Sequence, residues 1–270
     1  MRDEGAHLLE WARFHLAGGA CPIILSDDGS RDGGPAALKA ALGERVTVIP
    51  WRLSGSDAAT AGPLHPQILA HVHALLSFGG SFARMTVLAV DEFLVPVTAP
   101  GIEAALAATG DHSNVSLPWV QFGCCGREAP PAEDTVGGFR ERARDMAKDL
   151  NFKLVLDPCE VTSLSVHHAR TRSRGAETVN DRGEAADYAG RKASRFLSAT
   201  HLQLNHYFTR SRAEFEAKLL RGSAATRQRS VLATTPGHPE RRPWASRPTR
   251  CAATGRRPSR GGRVSGALVL

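Results

Sequence analysis

Two short apolar runs of this chain each end directly in an acidic segment, and this repeated pattern constrains the fold more than any other feature. Pro22 to Leu25 is followed by the letters SDDGSRDGG, and residues 85–90, MTVLAV, run straight into Asp91-Glu92. Apolar runs of this length are typical of buried strands. The sequence therefore predicts two strands whose carboxyl ends both carry acidic side chains.

Helical patterns separate these strands. Apolar residues recur at helical spacing in residues 4–17, and Gly18-Gly19 ends that pattern. The other elements predicted in this half of the chain are helices over 35–42 and 64–78 and a strand over 46–49. Strands that alternate with helices at this spacing indicate an α/β fold with a largely parallel sheet.

The two acidic segments are candidates for a binding site. In a parallel α/β sheet, ligands bind beyond the carboxyl ends of the strands, where Asp27-Asp28 and Asp91 would lie. The alternative is that Asp, Gly and Ser stand there because they form turns. Two acidic strand ends in one chain favour the binding site.

The second half of the chain is less regular. The predicted elements are strands over 114–117, 120–122, 153–156 and 161–166, a strongly charged helix over 138–150 and a polar loop over 170–194. Residues 211–221 predict a clear helix, because Ser211 and Glu214 have the spacing of a capping box.

The positive charge of the chain is concentrated in its last segment. The formal net charge is +7, but residues 223–270 contain ten arginines and one acid, which leaves residues 1–222 close to neutral. Five prolines and the absence of apolar periodicity predict that 223–270 is disordered. Nucleic-acid binding is therefore considered for this segment alone, and an unselected solvated tail is the favoured interpretation.

The remaining composition places the chain in a reducing compartment. The five cysteines include no CxxC pair, and no apolar run is long enough for a membrane span. We therefore expect a cytoplasmic protein with reduced thiols. Peripheral contact with the inner face of a membrane remains an alternative, because arginine clusters attract anionic lipid.

Four blocks of sequence, in this order, resemble the glycosyltransferases of family 92 and the related family 2. They are LLEWARFHLAGG followed by a strand and DDGSRDG, then VDEFLVP, SNVSLPWVQFG and LNHYFTRSRAEFEAKLLRG. The resemblance implies a GT-A fold, a Rossmann-like mixed, mostly parallel sheet flanked by helices, in a domain that covers residues 1–222. It also implies transfer of a sugar from a nucleotide-sugar donor to a glycan or lipid-linked acceptor.

The resemblance also implies residue roles and a divalent metal, Mn²⁺ or Mg²⁺. Glu4, Asp27 and Asp28 would line the nucleotide pocket. Asp91 would bind both the nucleotide sugar and the metal, with His206 as a second metal ligand. Trp119 would face the acceptor sugar. No residue is assigned as the catalytic base.

Each of these assignments has a structural alternative. Glu4 would merely favour the positive start of a helix. Asp27 and Asp28 would form a turn, Asp91 would have a structural role, and His206 and Trp119 would be core residues.

The sequence departs from the family pattern in two places that bear on function. Ala89 stands where the family has the first Asp of its D-x-D element. The family's first strand precedes the segment equivalent to Asp3-Glu4, so here the sheet is expected to lack that strand and to expose the edges of its neighbours. A degenerate, non-catalytic relative is therefore the second hypothesis, and a miscalled start or truncated gene product is a further one.

Overall fold

The computed structural model describes residues 1–51, 66–124, 126–147, 149–221 and 266–269. The helices are α1 Gly5–Ala17, α2 Gly34–Leu42, α3 Pro66–Phe78, α4 Ile102–Leu106, α5 Thr135–Gly138 and α6 Arg212–Arg221. The strands are β1 Ile23–Asp27, β2 Val46–Pro50, β3 Arg84–Val87, β4 Glu92–Pro96, β5 Asn114–Gln121, β6 Phe152–Leu156, β7 Val161–Leu164, β8 Ala169–Thr171, β9 Thr178–Val179, β10 Ala185–Ala186, β11 Leu202–His206 and β12 Gly266–Val269.

The elements predicted for the first ninety residues are confirmed within two residues at their ends, except at the third strand. Residues 64 and 65 of the predicted helix over 64–78 lie outside the described residues. Helix α1 buries Leu8, Trp11, Ala12 and His15, the stripe that a 3.6-residue period places on one face. The third strand ends at Val87, earlier than predicted. The chain then turns and begins a separate strand, β4.

The sheet is mixed, with a parallel part that contains the N-terminal strands. Its strand order is β10-β9-β5-β6-β3-β12-β1-β2. Strands β3, β12, β1 and β2 are parallel, whereas β6 is antiparallel to both β3 and β5. Strand β11 joins this sheet through β5 and pairs antiparallel with β4. A mixed α/β fold with flanking helices is therefore confirmed.

The expectation of a vacant strand position in the sheet is wrong. Strand β12, from the other end of the chain, lies between β1 and β3 and pairs with both. The prediction that the whole of 223–270 is disordered is also wrong for residues 266–269, because they form this strand. The rest of that segment lies outside the described residues. The reason is long-range pairing, which a local composition argument does not detect.

Two expectations for the second half also need correction. Residues 139–147 are not helical, and the single turn of α5 ends at Gly138. This segment has many charges and no apolar stripe, so it lacks the packing that stabilises most helices. The predicted loop over 170–194 contains most of β8, both residues of β9 and β10, and a turn of 3-10 helix at Gly190–Lys192.

The chain divides into two compact units. The first consists of Met1–Val120, Asp145–His206 and Arg256–Leu270, and the second of Gln121–Arg144 and Tyr207–Gly255. Within the second unit, the predicted capping box is confirmed, since the Ser211 N–H donates to Glu214 Oε2 at 3.0 Å. No helix in the described part of the chain is both long and apolar enough to cross a membrane.

Candidate functional site

The carboxyl ends of β1 and β3 lie at the same edge of the sheet, because both strands run parallel to β12 between them. Strand β1 ends at Asp27, and the chain reaches Asp91 four residues after the end of β3. Adjacent strands are about 4.8 Å apart, so β1 and β3, with β12 between them, are roughly 10 Å apart across the sheet. We call the edge that carries Asp27, Asp28 and Asp91 the acidic edge.

The turn after β1 is closed by its own side chains. One oxygen of Asp27, Oδ1, accepts hydrogen bonds from the Ser30 N–H at 3.0 Å and from the Ser30 hydroxyl at 2.6 Å. Asp32 accepts from the Gly5 N–H at 2.6 Å and from the Gly34 N–H at 2.9 Å. These carboxylates therefore have the turn-forming contacts that the alternative interpretation of Asp27 predicts.

Three of the four acids predicted to bind the nucleotide sugar lie near Met1. The Met1 nitrogen donates to the Ser26 carbonyl oxygen at 2.8 Å. Burial lowers the pKa of this amino group below its ordinary value, and the negative charges of Asp28, Asp27 and Glu4 oppose that shift. The structure thus brings Glu4, Asp27 and Asp28 into one electrostatic neighbourhood at the acidic edge.

The two predicted metal ligands come together. His206 is the last residue of β11, and the antiparallel pairing sets it opposite Glu92, next to Asp91. His206 Nε2 lies 3.7 Å from Asp91 Oδ2, and both side chains are largely buried. Two donor atoms that bind one Mg²⁺ at about 2.1 Å must lie roughly 3 to 4 Å apart, so this pair fits a shared cation.

This pair is not a complete protein cage for a metal. Within the described ranges, no group of three or more His, Cys, Asp and Glu side chains is arranged to hold a metal ion. Mg²⁺ is commonly held by one or two protein ligands together with phosphate oxygens and water. The donor set therefore suits a cation that arrives with a phosphate-bearing ligand.

Trp119 packs directly against this pair. Its ring stacks on that of His206 with centroids 4.0 Å apart and planes 27° apart. Its indole N–H donates to Glu92 Oε1 at 2.7 Å. Trp119 therefore holds the His206 ring in position, and an acceptor sugar would have to pack on the indole face turned away from His206.

A buried ion pair supports the segment that carries Asp91. The Glu92 carboxylate accepts from the Ala89 N–H at 2.6 Å and lies 3.3 Å from Lys153 Nζ. The side chains of Glu92 and Lys153 are only 1% and 5% exposed. Buried charges must be paired and hydrogen-bonded to be tolerated, and this carboxylate has the Lys153 cation and the donors from Ala89 and Trp119.

The sequence analysis did not assign a role to Glu92 or Lys153. Glu92 directly follows Asp91 in the sequence, and the acidic motif was attributed to Asp91 alone. Lys153 is the one charged residue in the strand FKLVL, an otherwise apolar run whose five residues are all buried. A lone lysine in a fully buried strand requires a carboxylate partner, and that signal could have found the pair.

The departure at Ala89 leaves the local backbone well defined. The Ala89 N–H donates to the Glu92 carboxylate, and the Ala89 carbonyl oxygen accepts from the Glu92 N–H at 3.0 Å. The side chain of Ala89 is partly exposed. The segment therefore keeps a closed turn without the carboxylate that the family has at this position.

The fold is an α/β fold with a mixed sheet, and acidic side chains follow the carboxyl ends of two strands in its parallel part. The sequence model of Glycosyltransferase family 92 matches residues 6–231 of the chain. This match covers most of the sequence, and the chain belongs to glycosyltransferase family 92. A comparison with curated protein sequences gives no match.

Proposed function

We propose that this protein transfers a sugar from a nucleotide-sugar donor to a glycan or lipid-linked acceptor with the help of Mn²⁺ or Mg²⁺. The proposal rests on one observation above all, the 3.7 Å approach of His206 Nε2 to Asp91 Oδ2 at the acidic edge. Membership of a glycosyltransferase family supports the reaction class. The Asp91 carboxylate supports the choice of Mn²⁺ or Mg²⁺, because these cations prefer oxygen ligands.

The residues of the candidate site would have separate roles. Asp91 and His206 would hold the cation, which supplies positive charge to the diphosphate as it leaves. Glu4, Asp27 and Asp28 would contact the nucleotide, where a carboxylate can accept hydrogen bonds from ribose or base. Trp119 would fix His206 and offer its second face to the acceptor sugar.

Binding of a nucleoside diphosphate should depend on Asp91. We expect Asp91→Asn to weaken Mn²⁺-dependent binding more than about 100-fold. Substitution of residues that merely hydrogen-bond to metal ligands already lowers metal affinity by about 10- to 100-fold. Isothermal titration calorimetry with Mn²⁺ and a panel of nucleoside diphosphates measures this. Asp111→Asn is the matched control, because Asp111 is fully exposed and pairs with Arg84 at the opposite end of β3.

Absence of heat with every nucleoside diphosphate in the presence of Mn²⁺ would contradict the proposal. Equal affinity of the Asp91→Asn variant and the unchanged protein would reject Asp91 as a ligand. His206→Gln tests the second ligand in the same way, and circular dichroism of each variant verifies that the protein remains folded.

A degenerate relative without catalysis is the second candidate, and Ala89 is the observation that favours it. Under this hypothesis, Ala89→Asp restores a missing carboxylate at a partly exposed position. We expect it to tighten Mn²⁺-dependent nucleoside diphosphate binding by about 10-fold or more, the equivalent of one hydrogen bond to a charged group. Calorimetry checks the change, with Ala89→Asn as the uncharged control. Unchanged affinity would count against a deficit at this position.

A further inference from the structure

An interior strand in the parallel part of the sheet, β12, is supplied by residues 266–269. Leu268 lies opposite Ile23 on one side and opposite Thr86 on the other, and Val269 lies opposite Ile24 and Val87. Both neighbours are parallel to β12. The strand therefore has paired backbone on both sides, as an interior strand of the sheet requires.

Met1 lies beside β1, in the position that a continuation of β12 would occupy. The Met1 nitrogen donates to the Ser26 carbonyl oxygen at 2.8 Å, and the Asp28 N–H donates to the Met1 carbonyl oxygen at 2.8 Å. These two bonds flank Asp27, which is the hydrogen-bond pattern of a parallel pair in which Met1 stands opposite Asp27. Met1 thus continues, beside β1, the ladder that β12 begins.

The register fixes the distance between the two pieces. Val269 stands opposite Ile24, and Met1 stands opposite Asp27, three positions further along β1. Two residues would fill the positions between Val269 and Met1. Leu270 follows Val269 in the sequence, so one additional residue would join the two pieces without a change of register.

We infer that β12 and Met1 are two pieces of one structural strand beside β1. The slot between β1 and β3 is a strand acceptor, and its occupant is residues 266–269 of the same chain. The second piece of this strand contacts the acidic edge directly, through the bond from Asp28 to Met1. Seating of β12 against Ile23 and Ile24 fixes the strand that leads into the turn at Asp27-Asp28.

A proline in β12 tests the seating of the strand in the complete chain. Leu268→Pro removes a backbone donor within a strand paired on both sides, and we expect the thermal midpoint to fall by about 6 to 12 °C. We also expect faster hydrogen exchange at the Asp28 amide. Leu268→Ala keeps the backbone N–H and is the matched control, with a smaller expected fall. An unchanged midpoint and unchanged exchange in the proline variant would overturn the inference.

A rejoined chain tests the register. Leu270 is linked to Met1 through zero, one, two or three glycines, and the chain is opened between Gly222 and Ser223, so that every original residue is retained. We expect the highest thermal midpoint with one glycine, at or above that of the original chain, and a lower one with zero. Equal thermal midpoints for all four linker lengths, or failure of all four chains to fold, would overturn the single-strand inference.

A second copy of the chain could also supply the strand. Chromatography that reports molecular mass distinguishes this arrangement from seating within one chain. We expect a monomer whose molecular mass is unchanged by Leu268→Pro. A dimer that dissociates in the proline variant would show exchange between copies and would overturn seating within one chain. None of these measurements uses a nucleotide, so they remain informative if the proposed transferase activity fails.

Discussion

Lys153→Met should lower the free energy of unfolding by about 3 to 5 kcal/mol, because it leaves the buried Glu92 carboxylate without its cation. Glu92→Gln should have an effect of similar size, since it leaves the Lys153 ammonium buried without a negative partner. The double variant Glu92→Gln/Lys153→Met removes both charges and should recover at least half of the loss. Urea denaturation of the four proteins gives the coupling energy as a double-mutant cycle.

An exposed pair on the same unit provides the control for this experiment. Arg174 Nη1 and Glu177 Oε1 are 3.2 Å apart, with side chains 51% and 40% exposed. Because water screens such a pair, Glu177→Gln should change the free energy of unfolding by less than about 1 kcal/mol. If Lys153→Met is as mild as Glu177→Gln, then the ion pair does not support the Asp91 segment in the way we describe.

Acidification should destabilise the protein through His15, beginning above the pH range where carboxylates titrate. Burial lowers the pKa of His15 from 6.5 to about 4, against a smaller opposing effect of its bond to the Trp11 carbonyl oxygen. Between pH 6.5 and 4 the unfolded chain therefore binds a proton that the folded protein excludes. The free energy of unfolding should fall by about 3 kcal/mol as pH falls through this window.

The contacts of His15 explain why it remains neutral. Its Nδ1–H donates to the Trp11 carbonyl oxygen at 2.9 Å, and Nε2 accepts from the Leu94 N–H at 3.1 Å. A second proton would need the Nε2 lone pair that the Leu94 N–H already occupies. The His15 ring also stacks on Phe93 with centroids 5.7 Å apart, in surroundings that offer a cation little solvation.

A variant that lacks only His15 isolates this contribution. His15→Gln should lower stability at pH 7, yet its stability should depend less steeply on pH between 6.5 and 4 than that of the unchanged protein. Burial also lowers the pKa of His167, and this contributes in the same direction in both proteins. Parallel pH profiles from urea denaturation at half-unit steps would contradict the assignment to His15.

The sequence predicts the N-terminal α/β elements because their information is local. In α1 the stripe of Leu8, Trp11 and Ala12 repeats at helical spacing, and β1 is a short apolar run followed by turn residues. Their order along the chain then predicts a parallel sheet and a common edge for the acidic strand ends. The position of Asp27 and Asp91 at that edge follows from this topology alone.

The features that the sequence did not predict depend on partners distant along the chain. Strand β12 is only four residues long and follows an arginine- and proline-rich segment, so its local composition gives no sign of the two strands it joins. Lys153 and Glu92 meet across strands that are sixty residues apart along the chain. The prediction of a helix over 138–150 was wrong for a local reason. The segment has many charges and no apolar stripe through which a helix could pack.

The antiparallel pairing of β4 with β11 has a consequence for the order of folding events. Asp91 and His206 are 115 residues apart along the chain, and they meet because Glu92 and His206 are opposite each other in that ladder. A slip of one residue would turn His206 to the other face of the sheet. Contacts of such long sequence separation are slow to form, since chain entropy opposes them. Under the proposed function, affinity for a divalent cation should therefore appear late in refolding, and binding of the paramagnetic ion Mn²⁺ would report when this pairing forms.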